Sequence, residues 1–282
     1  MSNARNIGMK EATGEWITFT DADDRIEPNH LQSLMDKAEE EEADIIIGGY
    51  KHNRVKEGSV IVNEIRSGNK YLTKMELLNL PSVALGSVWT KLFKASFLLV
   101  NSLVFDDKIS YREDETFVLQ ALLRTDKILW IQMCGYVYIN RDSQSICSKY
   151  MPNYANTTKI INELERENMR QAGCTEKEID KRMRDKKYLD SYFFVCNLFK
   201  KGTPLTFGEK RAAIRRYVFD DAETRAAIEA EDRSRHNLFL RIYDFAYGFK
   251  SPTVMALLFQ LQYSLKYNLM PLYLRIAPRL RR

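Results

Sequence analysis

Ala12-Thr13-Gly14-Glu15-Trp16-Ile17-Thr18-Phe19-Thr20-Asp21-Ala22-Asp23-Asp24-Arg25-Ile26-Glu27-Pro28 is the stretch around which the chain is organised. Gly14 can close a preceding helix, and Trp16 to Thr20 is a short aromatic and β-branched run suited to a buried strand. Asp21, Asp23 and Asp24 follow at once. A strand that ends in three carboxylates is unfavourable unless a cation or a set of N–H donors sits there. In an open α/β sheet, ligands bind beyond the carboxyl ends of the strands, so a divalent metal and a phosphate-bearing substrate are expected at this point. Aspartates after a strand are also ordinary turn and N-cap residues, because their side chains accept local backbone N–H groups. The spacing alone leaves both readings open.

Working outward, Ala4 to Ala12 reads as a short helix before the strand. Pro28 suits a first helical turn, with Leu31, Leu34 and Ala38 at helical spacing up to the acidic run Glu39 to Glu42. Asp44 to Gly49 is an Ile-rich strand, and strand, helix and strand alternate as in α/β proteins. Val60 to Val62 predicts a further strand and Thr73 to Leu80 a short helix. Trp89 and Phe93 then lie four residues apart with Lys91 and Lys94 interleaved, before a helix to about Val100. A tryptophan pinned in the core beside the sheet accounts for the ring. A second acid cluster, Glu113, Asp114 and Glu115, opens a helix that carries Phe117, Val118, Ala121 and Leu122 inward, where N-capping and the dipole suit negative charge. Lys127 to Ile131 and Gly135 to Ile139 read as two strands, followed by the polar loop Arg141 to Lys149.

Beyond Tyr150 the strand signal disappears. Ala155 to Met169, Glu176 to Leu198 and Phe207 to Tyr217 read as helices, with Gly202 and Pro204 as a break, which makes 151–282 an all-helical appendage to 1–150. The closing segment, Leu238 to Leu280, mixes aromatic and aliphatic residues with basic ones. That composition suits a helix pair at a membrane surface, and a plain helical bundle explains it equally well.

With 282 residues and 45% hydrophobic content, the chain has room for one large or two moderate soluble domains. The formal charge of +5 is mild and does not call for nucleic acid. No acid follows Asp244, whereas Lys250, Lys266, Arg275, Arg279, Arg281 and Arg282 do. Cys134, Cys147, Cys174 and Cys196 include no Cys-x-x-Cys pair, so neither a disulfide framework nor a zinc site is suggested and a reducing cytoplasm fits. The first residues lack the apolar core of a signal peptide, and Val254 to Phe259, the most apolar late segment, is broken by Gln260, Gln262, Ser264 and Lys266.

Ala4-Arg5-Asn6-Ile7-Gly8, Ala12-Thr13-Gly14-Glu15-Trp16-Ile17, Asp21-Ala22-Asp23-Asp24, Val88-Trp89-Thr90-Lys91-Leu92-Phe93 and Glu113-Asp114 together resemble the ordered signature of family 2 glycosyltransferases of the GT-A fold. The resemblance covers about the first 150 residues and implies a partial GT-A α/β sheet with flanking helices there. It also implies an inverting transfer of a sugar from a nucleotide-diphosphate donor, a UDP-sugar foremost, to a saccharide or lipid-linked acceptor in bacterial surface polysaccharide synthesis. On that pattern Asp23 is the ligand of a Mn²⁺ or Mg²⁺ ion, Asp21 serves the metal and lies nearer the ribose, and Asp114 is the general base. Arg5 then belongs to the nucleotide pocket, Arg141 or Lys149 meets the diphosphate, and Trp89, Lys91 and Glu113 line the acceptor side. The working place it implies is cytoplasmic, peripheral to the inner membrane face.

One departure accompanies the match. In the family a nucleotide-binding half precedes the Ala-Arg-Asn motif, and here the chain begins at that motif. The expectation is a donor pocket lacking one wall and a sheet with an uncovered edge. A truncated gene, a misplaced start or a fragment would each produce it, and a non-catalytic remnant acting as a binding or assembly module is the alternative function. A metal-dependent phosphohydrolase is weaker, because neither acid cluster contains a histidine.

Overall fold

The computed structural model of the chain describes residues 1–56, 59–65, 70–72, 76, 86–109, 111–140 and 149–268. The chain divides into two compact units, Met1–Ser145 with Lys159–Thr175, and Ile146–Thr158 with Glu176–Arg282.

The first unit is the expected α/β arrangement. Helix α1 (Ser2–Glu11) leads to β1 (Trp16–Thr18), then β2 (Arg25–Ile26), α2 (His30–Glu40), β3 (Ile45–Lys56), β4 (Ser59–Ile65), β5 (Lys70–Tyr71), β6 (Lys91–Lys94), α3 (Ala95–Val100), α4 (Glu113–Leu123) and β7 (Ile128–Asn140). The strands form one mixed sheet in the order β1-β6-β3-β7-β2, with β4 paired to β3 and β5 to β7. β3 and β7 run parallel, and the other pairs are antiparallel. Ile45, Ile46 and Ile47 are fully buried, as the uninterrupted apolar run requires of a strand covered on both faces. Leu34 and Ala38, one face of α2, pack with Ile46, Leu92, Leu129 and Ile131.

A second cluster decides where the chemistry sits. Phe19 lies edge-on to Phe93, Phe105 and Phe117 at centroid distances of 6.0, 5.4 and 6.0 Å, and Phe105 stacks on Phe117 at 4.0 Å. Each such pair adds about 0.5–1.5 kcal/mol beyond its buried area. The cluster joins the end of the first strand to α4. Asn6 of α1 completes the join, donating to the Phe105 carbonyl and accepting the Phe105 N–H, both at 2.8 Å.

The structure corrects several expectations. The two strands expected over Lys127 to Ile139 are one, Ile128–Asn140, with register shifts against β3 on either side of Gly49. The missing side chain of Gly135 leaves room for His30, and its carbonyl accepts the Glu27 N–H at 2.8 Å. The Ile-rich strand continues to Lys56, and the Trp16 strand stops at Thr18, where the chain turns into the acid loop. The helix expected from Pro28 starts at His30, whose N–H bonds to the Glu27 carbonyl. The helix expected at Thr73 to Leu80 lies outside the described residues, apart from Glu76.

The second unit is helical. α5 (Tyr154–Gln171) begins in it and continues into the first, and α6 (Glu176–Leu198), α7 (Phe207–Ile214), a π-helical turn (Arg215–Asp220), α8 (Ala222–Ala230), a 3₁₀ turn (Arg233–Arg235), α9 (Leu238–Gly248) and α10 (Pro252–Asn268) follow. The helix expected through Tyr217 therefore widens into π-helix after Ile214. Tyr188, Tyr243 and Phe259 are buried at its centre, and the Tyr188 hydroxyl donates to Asp244 at 3.0 Å. His236 faces Asp244 with Nδ1 at 2.7 Å and Glu231 with Nε2 at 3.2 Å, so a buried polar network sits inside the bundle.

Gly135→Ala is expected to lower stability by about 1–3 kcal/mol, because its Cβ would meet His30 Cβ and Nδ1 at 2.8 Å. Gly8→Ala, in a helix interior with nothing within 4 Å of the new methyl group, is expected to raise stability by about 0.5–1 kcal/mol. Urea unfolding of both variants checks the pair; a neutral Gly135 variant would contradict the close approach.

Candidate active site

Arg5 projects from α1 between the two acid clusters. Its guanidinium lies 3.0 Å from Asp21, bonds directly to Asp114, and stands 3.6 Å from Glu113. Its Cζ lies over the Phe105 ring, 5.3 Å from the ring centre, so the aromatic cluster also helps to place the cation. Asp21 hangs from the loop just beyond Phe19, and Asp114 from the first turn of α4, just before Phe117. Side chains remote in sequence thus meet because the rings beneath them pack.

Arg112, immediately before Glu113, takes a left-handed backbone with φ +61° and pairs with Glu115. Such a conformation is rare for a residue with a side chain and is held by its surroundings. It turns the chain sharply enough for Glu113 and Asp114 to begin α4 on the Arg5 side.

Three carboxylates facing one guanidinium leave an excess of negative charge. Burial pushes the Asp114 carboxyl up to about 6, Glu113 and Asp21 push the same way, and Arg5 pulls against them. Lys91 is fully buried beneath, donating its ammonium to the Ser87 carbonyl and, at 3.3 Å, to the Thr90 hydroxyl. Desolvation brings that ammonium down to about 7, with the Asp114 charge acting in the opposite direction.

The acid loop has a second anchor. The Tyr136 hydroxyl donates to Asp24 at 2.6 Å and accepts the Asp21 N–H at 3.2 Å, while Asp24 also accepts the Ile139 N–H at 2.8 Å. Burial raises the Asp24 carboxyl, and the neighbouring Asp23 and Asp21 add to it against those hydrogen bonds. Tyr136 in turn stacks on Trp89 at 4.4 Å, and Trp89 meets Tyr138 at 5.6 Å and Tyr50 edge-on at 5.0 Å. Trp89 is only 7% exposed, a packed wall rather than an open platform.

Of the residues singled out in the sequence, the structure brings Arg5, Asp21, Glu113 and Asp114 into one cluster with Lys91 buried beneath. Asp23 is exposed on the same loop. Lys149 is exposed and belongs to the second unit, and Arg141 lies outside the described residues. Asn6, Asp24 and Tyr136 carry positioning roles that the sequence did not announce, although Asn6 and Asp24 stand within the motifs quoted for the resemblance.

Among the described residues no three His, Cys, Asp or Glu side chains converge on a metal position. Asp21 and Asp23 nevertheless offer hard carboxylate oxygens at one turn. Magnesium-type ions are commonly held by one or two carboxylates and complete their shell with substrate phosphates and water. The donor set fits a cation that arrives with a diphosphate.

Residues 1–95 match the family profile described as glycosyl transferase family 2. The chain is 28% identical over 143 residues to a Bacillus subtilis protein described as uncharacterized glycosyltransferase EpsJ, covering 49% of this chain and 41% of that one. It is 31% identical over 150 residues to glycosyltransferase GlyA of Streptococcus pneumoniae, covering 49% and 21%. It is 31% identical over 153 residues to the poly(ribitol-phosphate) beta-glucosyltransferase of Bacillus spizizenii, covering 52% and 23%. In each case the match spans less than half the relative's length. Crystal structures of Staphylococcus aureus TarS 1–349 with UDP and with UDP-GlcNAc superpose with TM-scores of 0.58 and 0.59 at 17% identity. Each superposition covers 95% of this chain, and they cover 70% and 72% of the two TarS chains. The shared architecture is GT-A-like, a mixed sheet with flanking helices and a helical C-terminal region.

Arg5→Ala removes the one guanidinium from three carboxylates and is expected to cost about 3 kcal/mol at neutral pH. The Asp114 carboxyl is raised in the folded state, so its protonation supports the fold below about pH 4, a contribution lost as pH rises through about 6. Without Arg5 the carboxyl rises further, and the deficit should shrink on acidification from about pH 7.5 to about pH 5. Urea denaturation at the two pH values measures this; equal deficits would show that the loss is one of packing.

Proposed function

From a chain that carries part of a family 2 glycosyltransferase domain, we propose that the protein transfers a sugar from a nucleotide-diphosphate donor, a UDP-sugar, to an acceptor hydroxyl with inversion at the anomeric carbon. One observation carries this reading: a single arginine joins the loop that would meet the diphosphate to the helix start that would hold the base. The names of relatives support the class of reaction. One acts, by its name, on poly(ribitol-phosphate), and the TarS structures hold UDP and UDP-GlcNAc. A hydroxyl-rich surface polymer or its lipid-linked precursor is the acceptor class we assign on that basis.

In this mechanism ionised Asp114 accepts the proton of the acceptor hydroxyl while the oxygen attacks the anomeric carbon. The bond to the diphosphate oxygen breaks on the opposite face, and the electron pair leaves with the nucleoside diphosphate. A divalent cation bound by Asp21 and Asp23 would supply positive charge to the leaving diphosphate. Arg5 holds Asp114 in place and offsets the charge of Asp21. A carboxyl raised to about 6 is a stronger base than a free aspartate and is still ionised at neutral pH. Glu113 keeps the site acidic beside the base, and the Trp89 stack backs the loop through Tyr136.

Asp114→Asn is expected to lower turnover about 10²- to 10⁴-fold with little change in nucleotide affinity. For the unmodified chain, kcat/KM should climb with pH through about 6 as Asp114 ionises and then level off. Steady-state rates against pH test both statements, and a full-rate asparagine variant removes Asp114 from the chemistry. Calorimetric titration of UDP with and without Mn²⁺ addresses the donor side: binding should require the metal and be lost in Asp21→Ala and Asp23→Ala. Metal-independent binding that survives both substitutions would place the nucleotide elsewhere.

A further inference from the structure

The helical unit carries a concavity that the proposed reaction does not use. Ala155 at the start of α5, Phe194 of α6, Ala213 of α7, and Arg216, Tyr217 and Asp221 around the π-helical turn line a cavity of about 350 Å³. All six belong to the second unit, whereas the Arg5 cluster belongs to the first. Helices seldom widen into π-helix, and where they do the turn is frequently at a functional site. Here the widened stretch, Arg215–Asp220, falls between α7 and α8 and supplies two of the lining side chains.

The lining is apolar with one free charge. Phe194 stacks on Tyr217 with ring centroids 4.1 Å apart, and the two alanines bring only a methyl group each where a larger side chain would fill the space. Asp221 is already engaged. It accepts the Thr224 N–H at 2.7 Å and the Thr224 hydroxyl at 2.6 Å, and it pairs with Lys187 at 3.3 Å. Lys187 in turn reaches Glu223 at 3.8 Å and stands 5.4 Å from the Tyr217 ring centre. Arg216 is different: it is exposed, and among the described residues no hydrogen bond or ion pair engages its guanidinium.

A guanidinium fork beside an aromatic-lined hollow is complementary to a molecule with a flat hydrocarbon body and a carboxylate at one end. A purely apolar guest would leave the guanidinium without a partner, and a bare phosphate would leave the rings and methyl groups without contact. The volume lies near the lower end of the roughly 300–1,000 Å³ of small-molecule sites, which suits one or two rings rather than a nucleotide. We propose that this cavity binds a small aromatic carboxylate, with the ring body against Ala155, Ala213, Phe194 and Tyr217 and the carboxylate paired with Arg216.

The test is calorimetric titration of 2-naphthoate into the full chain, beside 2-naphthalenemethanol, which has the same ring system and no charge. Saturable one-to-one binding of the carboxylate is expected, with the neutral analogue at least about tenfold weaker, since the paired guanidinium strengthens the charged form alone. Arg216→Gln should weaken 2-naphthoate about tenfold and leave the analogue's affinity unchanged, because it removes charge from an exposed side chain and leaves the rings in place. Ala213→Leu and Ala155→Leu fill the hollow from different helices, and each should abolish binding of both compounds. Circular dichroism and melting profiles identify which filled variants keep the parent's fold, and Arg216→Gln decides the matter if neither does. The absence of saturable binding up to about 5 mM 2-naphthoate would overturn the proposal. Equal affinity for the two compounds would overturn it as well. So would binding that survives both Arg216→Gln and a folded filled variant, which would assign the contact to another apolar surface, and so would full displacement by equimolar inorganic phosphate. No nucleotide or metal enters these titrations, so their failure leaves the transfer reading untouched.

Discussion

The Arg5 guanidinium among Asp21, Glu113 and Asp114 is the interaction on which the site depends. Bringing three carboxylates together out of bulk water is strongly unfavourable, and one cation cannot neutralise them. What makes the arrangement tenable is the apolar packing around it. Phe19, Phe93, Phe105 and Phe117 fix the strand end and the helix start at a set separation, and Asn6 locks α1 to the same point through two backbone bonds. The acids are held where packing puts them rather than where their charges would settle.

That residual imbalance is chemically useful. A buried carboxyl raised to about 6 and a buried ammonium lowered to about 7 lie in each other's field, each displaced towards neutrality mainly by desolvation. Lys91 donates to the Ser87 carbonyl and the Thr90 hydroxyl, and its charge and that of Asp114 act on each other through space, while Arg5 holds one Asp114 oxygen directly. Perturbed groups of this sort gather at functional sites more often than elsewhere.

The legible part of the molecule was the part with a period. The isoleucine run of β3, the leucine spacing of α2 and the inward face of α4 announced themselves, and so did the helices beyond Tyr150. The two acid clusters were visible as clusters, and it was the resemblance to a family, not any local pattern, that implied they share a site. Nothing local in the sequence says that residue 5 reaches both residue 21 and residue 114; that is a property of ring packing between elements far apart in the chain. Asp24 is a clearer instance still. In the sequence it is one more turn aspartate, and in the fold it is the acceptor that ties Tyr136 to the acid loop. A hydrogen bond between residue types that are common everywhere leaves no pattern to read.

The split expected within β7 carries a further lesson. Composition suggested a gap between Ile131 and Gly135, and the chain there does depart from regularity while staying extended. β3 advances from Ile47 to Tyr50 as β7 advances from Trp130 to Tyr136, so the extra residues of β7 are absorbed as a local irregularity in the ladder. Such bulges bend a strand and re-aim the side chain that follows them. Here that side chain is Tyr136, which bonds Asp24, accepts from the Asp21 backbone and stacks on Trp89. β2 then pairs with Tyr136 and Val137, returning the acid loop to the sheet just past the irregular stretch. The feature that blurred the reading of the strand is thus the feature that sets the loop against it. Straightening β7 would leave the ladder more regular and take the Tyr136 hydroxyl away from Asp24.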